Sequence, residues 1–257
     1  SLDESIARAM DCDTPELVPF LPYILQDFHE IGSSAQSITE IIEEKAAGKG
    51  QLKILDLGCG KGAVLLSIAE KLDCKCLGID GVTEFVRYAA GKAKEKNLEN
   101  CVFRAGDIRE EIKFPEKYDA IILGSIGPVL GDYYETMEKL KNLLAPGGFI
   151  ILDDGYIEDE SSYNHDAVVK KSTLLSKLGR AGMEIVKEYR WDEKDYHEEY
   201  GAEYNNIKKR CIELAGKYPE KRKLFEDYVK KQEMEYEVLE TKIVCAAMVI
   251  AEKNNNR

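Results

Sequence analysis

The chain has 257 residues, 44% of them apolar and 33% charged, with seven prolines; this composition suits a folded globular protein with one main core and excludes a disordered or collagen-like chain. A formal net charge of −12 argues against a nucleic-acid partner, because such binding draws most of its affinity from Lys and Arg on phosphates, and the clusters Lys208-Lys209-Arg210 and Lys221-Arg222-Lys223 read as solvated helix faces. No apolar run approaches the roughly 20 residues of a membrane-spanning helix, and the opening Ser1-Leu2-Asp3-Glu4 lacks the order of a signal peptide, so a cytoplasmic protein with no membrane partner and with reduced, mostly buried cysteines is expected.

In chain order, residues 1–47 form an N-terminal helical cap. Asp13 or Thr14 is placed to cap a helix with Pro15 at its first position, and Leu17, Phe20, Leu21, Ile24, Leu25 and Phe28 give it an apolar face that Pro19 and Pro22 must kink. Short apolar strands then alternate with helical patterns. The strands fall at 52–57, 75–79, 101–105, 118–123 and 148–152, and the helices at 62–72, 83–97 and 133–144. That alternation predicts an α/β fold, a mostly parallel sheet with helices on both faces. A helix at 166–179 and strands at 184–189 and 242–251 complete the pattern. The core is therefore 48–190 with 241–257. The charged, helical stretch 191–240, broken at Pro219, is too long for a hairpin loop and is expected as an insert or lid, with a surface on which two subunits could pair as a homodimer.

The segment Ile54-Leu55-Asp56-Leu57-Gly58-Cys59-Gly60-Lys61-Gly62 is a strand running into a glycine-rich turn that opens a helix. Such a turn lets a ligand approach the main chain without a Cβ in the way. A dinucleotide site wants G-x-G-x-x-G; the spacing of Gly58, Gly60 and Gly62 disfavours an NAD-linked oxidoreductase. The next strands end in Leu77-Gly78-Ile79-Asp80, Ala105-Gly106-Asp107-Ile108 and Leu123-Gly124-Ser125, and Leu144-Ala145-Pro146-Gly147-Gly148-Phe149 precedes the fifth. Taken singly, Asp80 could be a helix cap and Asp107 a turn former.

In this order the motifs, over about residues 50–155, resemble those of the class I S-adenosylmethionine-dependent methyltransferases, whose first motif is E/D-x-G-x-G-x-G. The resemblance implies a Rossmann-like seven-stranded sheet of order 3-2-1-4-5-7-6, S-adenosyl-L-methionine as cofactor, and methyl transfer by in-line displacement to a small-molecule acceptor. It assigns Asp56 to ordering the glycine loop and meeting the amino-acid end of the cofactor. Gly58, Cys59 and Gly60 form that loop, with Cys59 space-filling and not nucleophilic. Asp80 with Gly81 would take the ribose hydroxyls, Asp107 and Ile108 the adenine, and Leu123 and Gly124 would lie beneath the transferable methyl group.

The acceptor pocket is expected at the C-terminal ends of the strands, covered by the cap, by the loop 153–165 after strand five and by the insert. The three histidines, His29, His165 and His197, fall one in each cover; His165, Tyr156 and His29 are the candidate catalytic residues. Tyr23, Ser125, Asp154, Tyr156 and Tyr200 are candidate substrate contacts, and the turn His29-Glu30-Ile31-Gly32-Ser33 is expected to close over the cofactor. Asp153-Asp154 resembles the carboxylate pair of magnesium-dependent catechol-type methyltransferases, but those also use an Asp at the end of strand four, where Gly124 and Ser125 stand. No metal is expected. The alternatives are a protein or RNA methyltransferase and a non-catalytic cofactor-binding module.

Overall fold

The computed structural model describes residues 1–191 and 193–253, the side chains of 193–200 excepted. Seven strands form one sheet: β1 (Leu52–Leu57), β2 (Cys74–Asp80), β3 (Cys101–Ala105), β4 (Tyr118–Gly124), β5 (Leu144–Tyr156), β6 (Met183–Arg190) and β7 (Val244–Glu252). Their order is β3-β2-β1-β4-β5-β7-β6. β1 to β5 pair in parallel, and β7 runs antiparallel to β5 and β6. This is the topology the motif order implied. β1 is buried along nearly its whole length, as a central strand covered on both faces must be.

Successive side chains of β1 point to opposite faces, and each face has its own core. Ile54, with Cys76, Ile122, Ile151 and Val249, packs under α3 (Ala35–Lys45), α4 (Ala63–Lys71) and α5 (Thr83–Glu95). Leu55 and Leu57, with Ile121, Ile150 and Met248, pack under α6 (Ile108–Glu111), α7 (Tyr133–Leu140) and α8 (Lys171–Arg180). A third apolar cluster joins α1 (Leu2–Ala9), the 3-10 turn Pro15–Phe20 and α2 (Leu21–Ile24) to α9 (Glu193–Lys217) and α10 (Arg222–Thr241). Val82 and Phe85 belong to the same cluster, so cap and insert share one core that rests on the start of α5. Among the described residues no helix is long and apolar enough to cross a membrane.

Three stretches differ from expectation, each for a local reason. The cap holds a helix ahead of the one expected to start near residue 13: Ser1 and Glu4 form a reciprocal capping box that nucleates α1. Thr14 does cap the next element, but with Pro19 inside it the chain winds as a 3-10 turn before α2. β5 runs to Tyr156 because β7 keeps pairing with it, Asp153 opposite Ala247 and Tyr156 opposite Val244; the stretch expected to open a loop at 153 is strand. α8 starts at Lys171, not 166, because His165 Nδ1 accepts from the Ala167 and Val168 amides and the chain stays extended to a bridge between Ile157 and Lys170.

Candidate active site

At the tip of β1, Gly58, Gly60 and Gly62 all take positive φ, +82°, +51° and +79°. A Cβ at Gly62 would fall 2.6 Å from Phe103 and 2.8 Å from Ala89, so packing and backbone both demand glycine there. Asp80, at the tip of β2, holds the turn: its Oδ2 accepts from the Gly60 amide at 2.8 Å and its Oδ1 from the Val82 amide at 2.8 Å. It is not a helix cap, since Val82 is the N-cap of α5 and has no side-chain cap bond, and each oxygen of Asp80 keeps a lone pair for a further donor. Burial raises its carboxyl and the two amides partly offset this.

Asp56 lies beneath the turn, 3% exposed, and no hydrogen bond from a described residue reaches its carboxylate. Burial, and after it the charge of Asp80, pushes its carboxyl up to about 8. A second buried polar group waits nearby. Ser33 Oγ has no aligned partner among the described residues, although it lies near enough to the Asp153 carboxylate to ease the rise that burial imposes on that acid. The other partner of Asp153 is the Trp191 indole, which donates to its Oδ1 at 3.0 Å.

These tips surround a cavity with about 720 Å³ of free space, part of it open to solvent. Of the residues expected to hold the cofactor, Gly58, Gly60, Asp80, Gly81, Asp107, Ile108 and Gly124 stand in its wall, and Asp56, buried beneath the turn, does not. Leu123 points instead into the core beneath α7. Cys59 packs behind the turn against Gly78, where burial raises its thiol well above the usual range and keeps it from acting as a thiolate. Asp107 caps α6, and both its oxygens already accept from Arg109, at 2.6 Å from NH2 and 2.8 Å from Nε. An adenine amine there must share Asp107 with Arg109.

The residues expected on the acceptor side are dispersed, and only Ser125, with a positive φ of +53°, is in the wall. Tyr156 is fully buried, donating to Glu188 at 2.7 Å and accepting from Lys171 at 3.1 Å. Asp154 is half-buried against Tyr133, whose hydroxyl donates to it at 3.0 Å. Tyr23 is 41% exposed and donates to Glu213 at 2.7 Å. His29 is exposed beside Tyr88, outside the wall. His165 is outside it too, and because its Nδ1 accepts from two amides its neutral ring carries the proton on Nε2, a donor and not a base. Tyr200 and His197 lie outside the residues whose side chains are described.

Sequence reasoning missed the wall formed by α1 and its C-cap, where Leu2, Ser5, Ile6 and the C-cap Met10 face the cavity and Ile6 sits against Gly81. The signal was present in the Ser1-x-x-Glu4 box and the Leu2, Ile6 spacing, but the polar residues Ser1, Asp3 and Glu4 hid it. Ile31 and Gly32 of the expected closing turn do line the cavity.

A positive-φ glycine turn, an unpartnered buried carboxylate, an Asp with free lone pairs and an apolar wall together suit a ligand with a cationic amino-acid end, a ribose and a flat ring. The family model described as "Methyltransferase domain" matches residues 49–216. An (S)-coclaurine N-methyltransferase of Thalictrum flavum subsp. glaucum is 27% identical over 167 residues, 64% of this chain and 45% of that protein. An uncharacterized RNA methyltransferase of Clostridium tetani is 28% identical over 137 residues, 48% of this chain and 30% of that protein. The chain thus spans less than half the length of these curated relatives. A methyltransferase of Geobacter sulfurreducens, solved with S-adenosyl-L-homocysteine, superposes with a TM-score of 0.76 at 16% identity, over 91% of this chain and 98% of its own; at that identity the likeness is one of fold.

Proposed function

The chain belongs to the class I S-adenosylmethionine-dependent methyltransferases, and on that premise we propose that it methylates a small molecule bound in the cavity beside the cofactor. The cofactor supplies a methyl group on a positively charged sulfur, open to in-line attack by a nucleophile. Asp56 would meet its amino-acid end, Asp80 its ribose hydroxyls, and Ile108 the face of its ring. The observation that carries the small-acceptor reading is the wall itself. It is largely apolar, its titratable side chains are Asp80 and Asp107, and among the described residues it holds no Lys or Arg. A phosphate-rich polymer would find no counter-charge there.

Among the described residues the same wall holds no histidine, so the residues proposed from sequence as a base, His165, Tyr156 and His29, give way to a simpler scheme. The chain aligns the nucleophile and excludes water, and a nucleophile that is neutral when it attacks loses its proton afterwards to solvent. A nitrogen acceptor of low basicity fits that scheme, and the name of the coclaurine N-methyltransferase relative makes amines the first class to screen. The test is incubation with methyl-labelled cofactor and fractionated cell extract. Label in the small-molecule fraction supports the proposal; label confined to RNA or protein overturns it.

A further inference from the structure

The glycine turn carries one residue whose placement binding does not explain. Lys61, between Gly60 and Gly62, is 5% exposed. Its ammonium donates to the Leu25 carbonyl at 2.6 Å and the Phe28 carbonyl at 2.7 Å, with Gln26 O at 3.4 Å. It stands 5.2 Å from the Tyr88 ring centroid and 5.9 Å from that of Phe85. Among the described residues no carboxylate pairs with it, and Asp27, the nearest acid to influence it, is held by Arg210 at 2.6 and 2.7 Å.

A buried ammonium is costly unless its protons are taken up, and an apolar side chain of equal length would fill the same space at less cost. What the charge does is gather three carbonyls just past the end of the helical run 15–25: those of Gln26 and Phe28, and that of Leu25, which also accepts from the Phe28 amide at 3.1 Å. The chain they belong to continues straight into the cavity wall. Ile31 lies against Gly60, and Gly32 is so close to Ser125 that a Cβ there would fall 3.0 Å from Ser125 Cβ. Segment 25–33 is therefore tied to the glycine turn at one end by Lys61 and laid over the cavity at the other.

Resting on the cofactor reading above, we propose that Lys61 is a positioning residue that couples occupation of the glycine turn to closure of segment 29–33 over the cavity. A ligand that orders residues 58–62 fixes the Lys61 backbone, the ammonium then holds three carbonyls in place, and Ile31, Gly32 and Ser33 follow. By reciprocity, closure of the segment strengthens ligand binding by the same factor.

The experiment is hydrogen–deuterium exchange of peptides covering 25–33, with and without saturating S-adenosyl-L-homocysteine, in the wild type, Lys61→Met and Lys61→Arg, with affinities from calorimetry. In the wild type the ligand is expected to slow exchange of this segment about tenfold, a typical allosteric coupling. In Lys61→Met the ligand still binds, more weakly, but no longer slows the segment; Lys61→Arg, which keeps donors and charge, restores part of the effect. A merely structural lysine would change exchange equally with and without ligand. Ligand-induced slowing that survives intact in Lys61→Met, or loss that Lys61→Arg fails to restore at all, overturns the coupling alone. A wild type that binds no S-adenosyl-L-homocysteine overturns the cofactor reading and this proposal with it.

Discussion

Asp56 sits where a carboxylate has least reason to be unless a cation comes to it. Buried, with no hydrogen bond from a described residue and its carboxyl pushed up to about 8, it should be mostly protonated at pH 7 before ligand arrives. An ammonium placed beside it favours the ionised form. Binding of S-adenosyl-L-homocysteine at pH 7 should therefore release about one proton, and affinity should climb from pH 6 to 8 and level off above. Calorimetry in two buffers of different ionisation enthalpy reads this directly, and Asp56→Asn should abolish the release while weakening binding. The stability sign is opposite. The folded state keeps this proton above the unfolded value of 3.8, so the native state binds more protons between about pH 4 and 8, and the contribution of Asp56 to stability falls as pH rises through that window. Asp56→Asn should thus melt higher than the wild type at pH 8. Proton uptake on binding would show that the acid meets something other than a cation.

Among the elements, β5 decides which residues can be catalytic. Its Asp153-Asp154-Gly155-Tyr156 end has the composition of a loop, and nothing local to it reveals that β7, almost 90 residues away in sequence, will pair with it. Because it stays in the sheet, alternation sends Asp154 and Tyr156 to the α7–α8 face and away from the cavity. Tyr156 there knits β5 to Glu188 of β6 and Lys171 of α8. Burial alone would raise the Glu188 carboxyl, but Tyr156, Arg190 and Lys171 outweigh it and hold it down to about 2. Tyr156→Phe is accordingly expected to lower stability by about 1–2 kcal/mol with affinity for S-adenosyl-L-homocysteine unchanged. A variant that melts like the wild type but has lost methyl transfer would return Tyr156 to the active site. Most of the residues assigned to the cofactor from sequence line the cavity, because each lies at a strand tip beside its own motif, whereas Asp56, Cys59 and Leu123 lie off its wall. The acceptor half was not legible, because α1, segment 31–33 and the β4 tip meet there only after the chain has folded.

For the molecule as a whole, the order of motifs was enough to anticipate a sheet with helices on both faces, since parallel strands leave few ways to connect. The sequence did not reveal that the cap and the insert, more than 150 residues apart, share one apolar cluster anchored on Val82 and Phe85, because amphipathic helices show that a face is buried but not against what. That shared core has a thermodynamic consequence. The cavity wall draws on both α1 and the tips of β1 to β4, so a bound ligand bridges lid and core and should stabilise them together. S-adenosyl-L-homocysteine at 100 times its dissociation constant contributes about 2.7 kcal/mol, which for a chain of this size raises the melting temperature by about 5–10 °C. Differential scanning calorimetry should show one transition moving as a unit, and NAD at the same concentration should leave it in place. A lid transition that stays behind while the core shifts would mean that α1 and the insert take no part in holding the ligand.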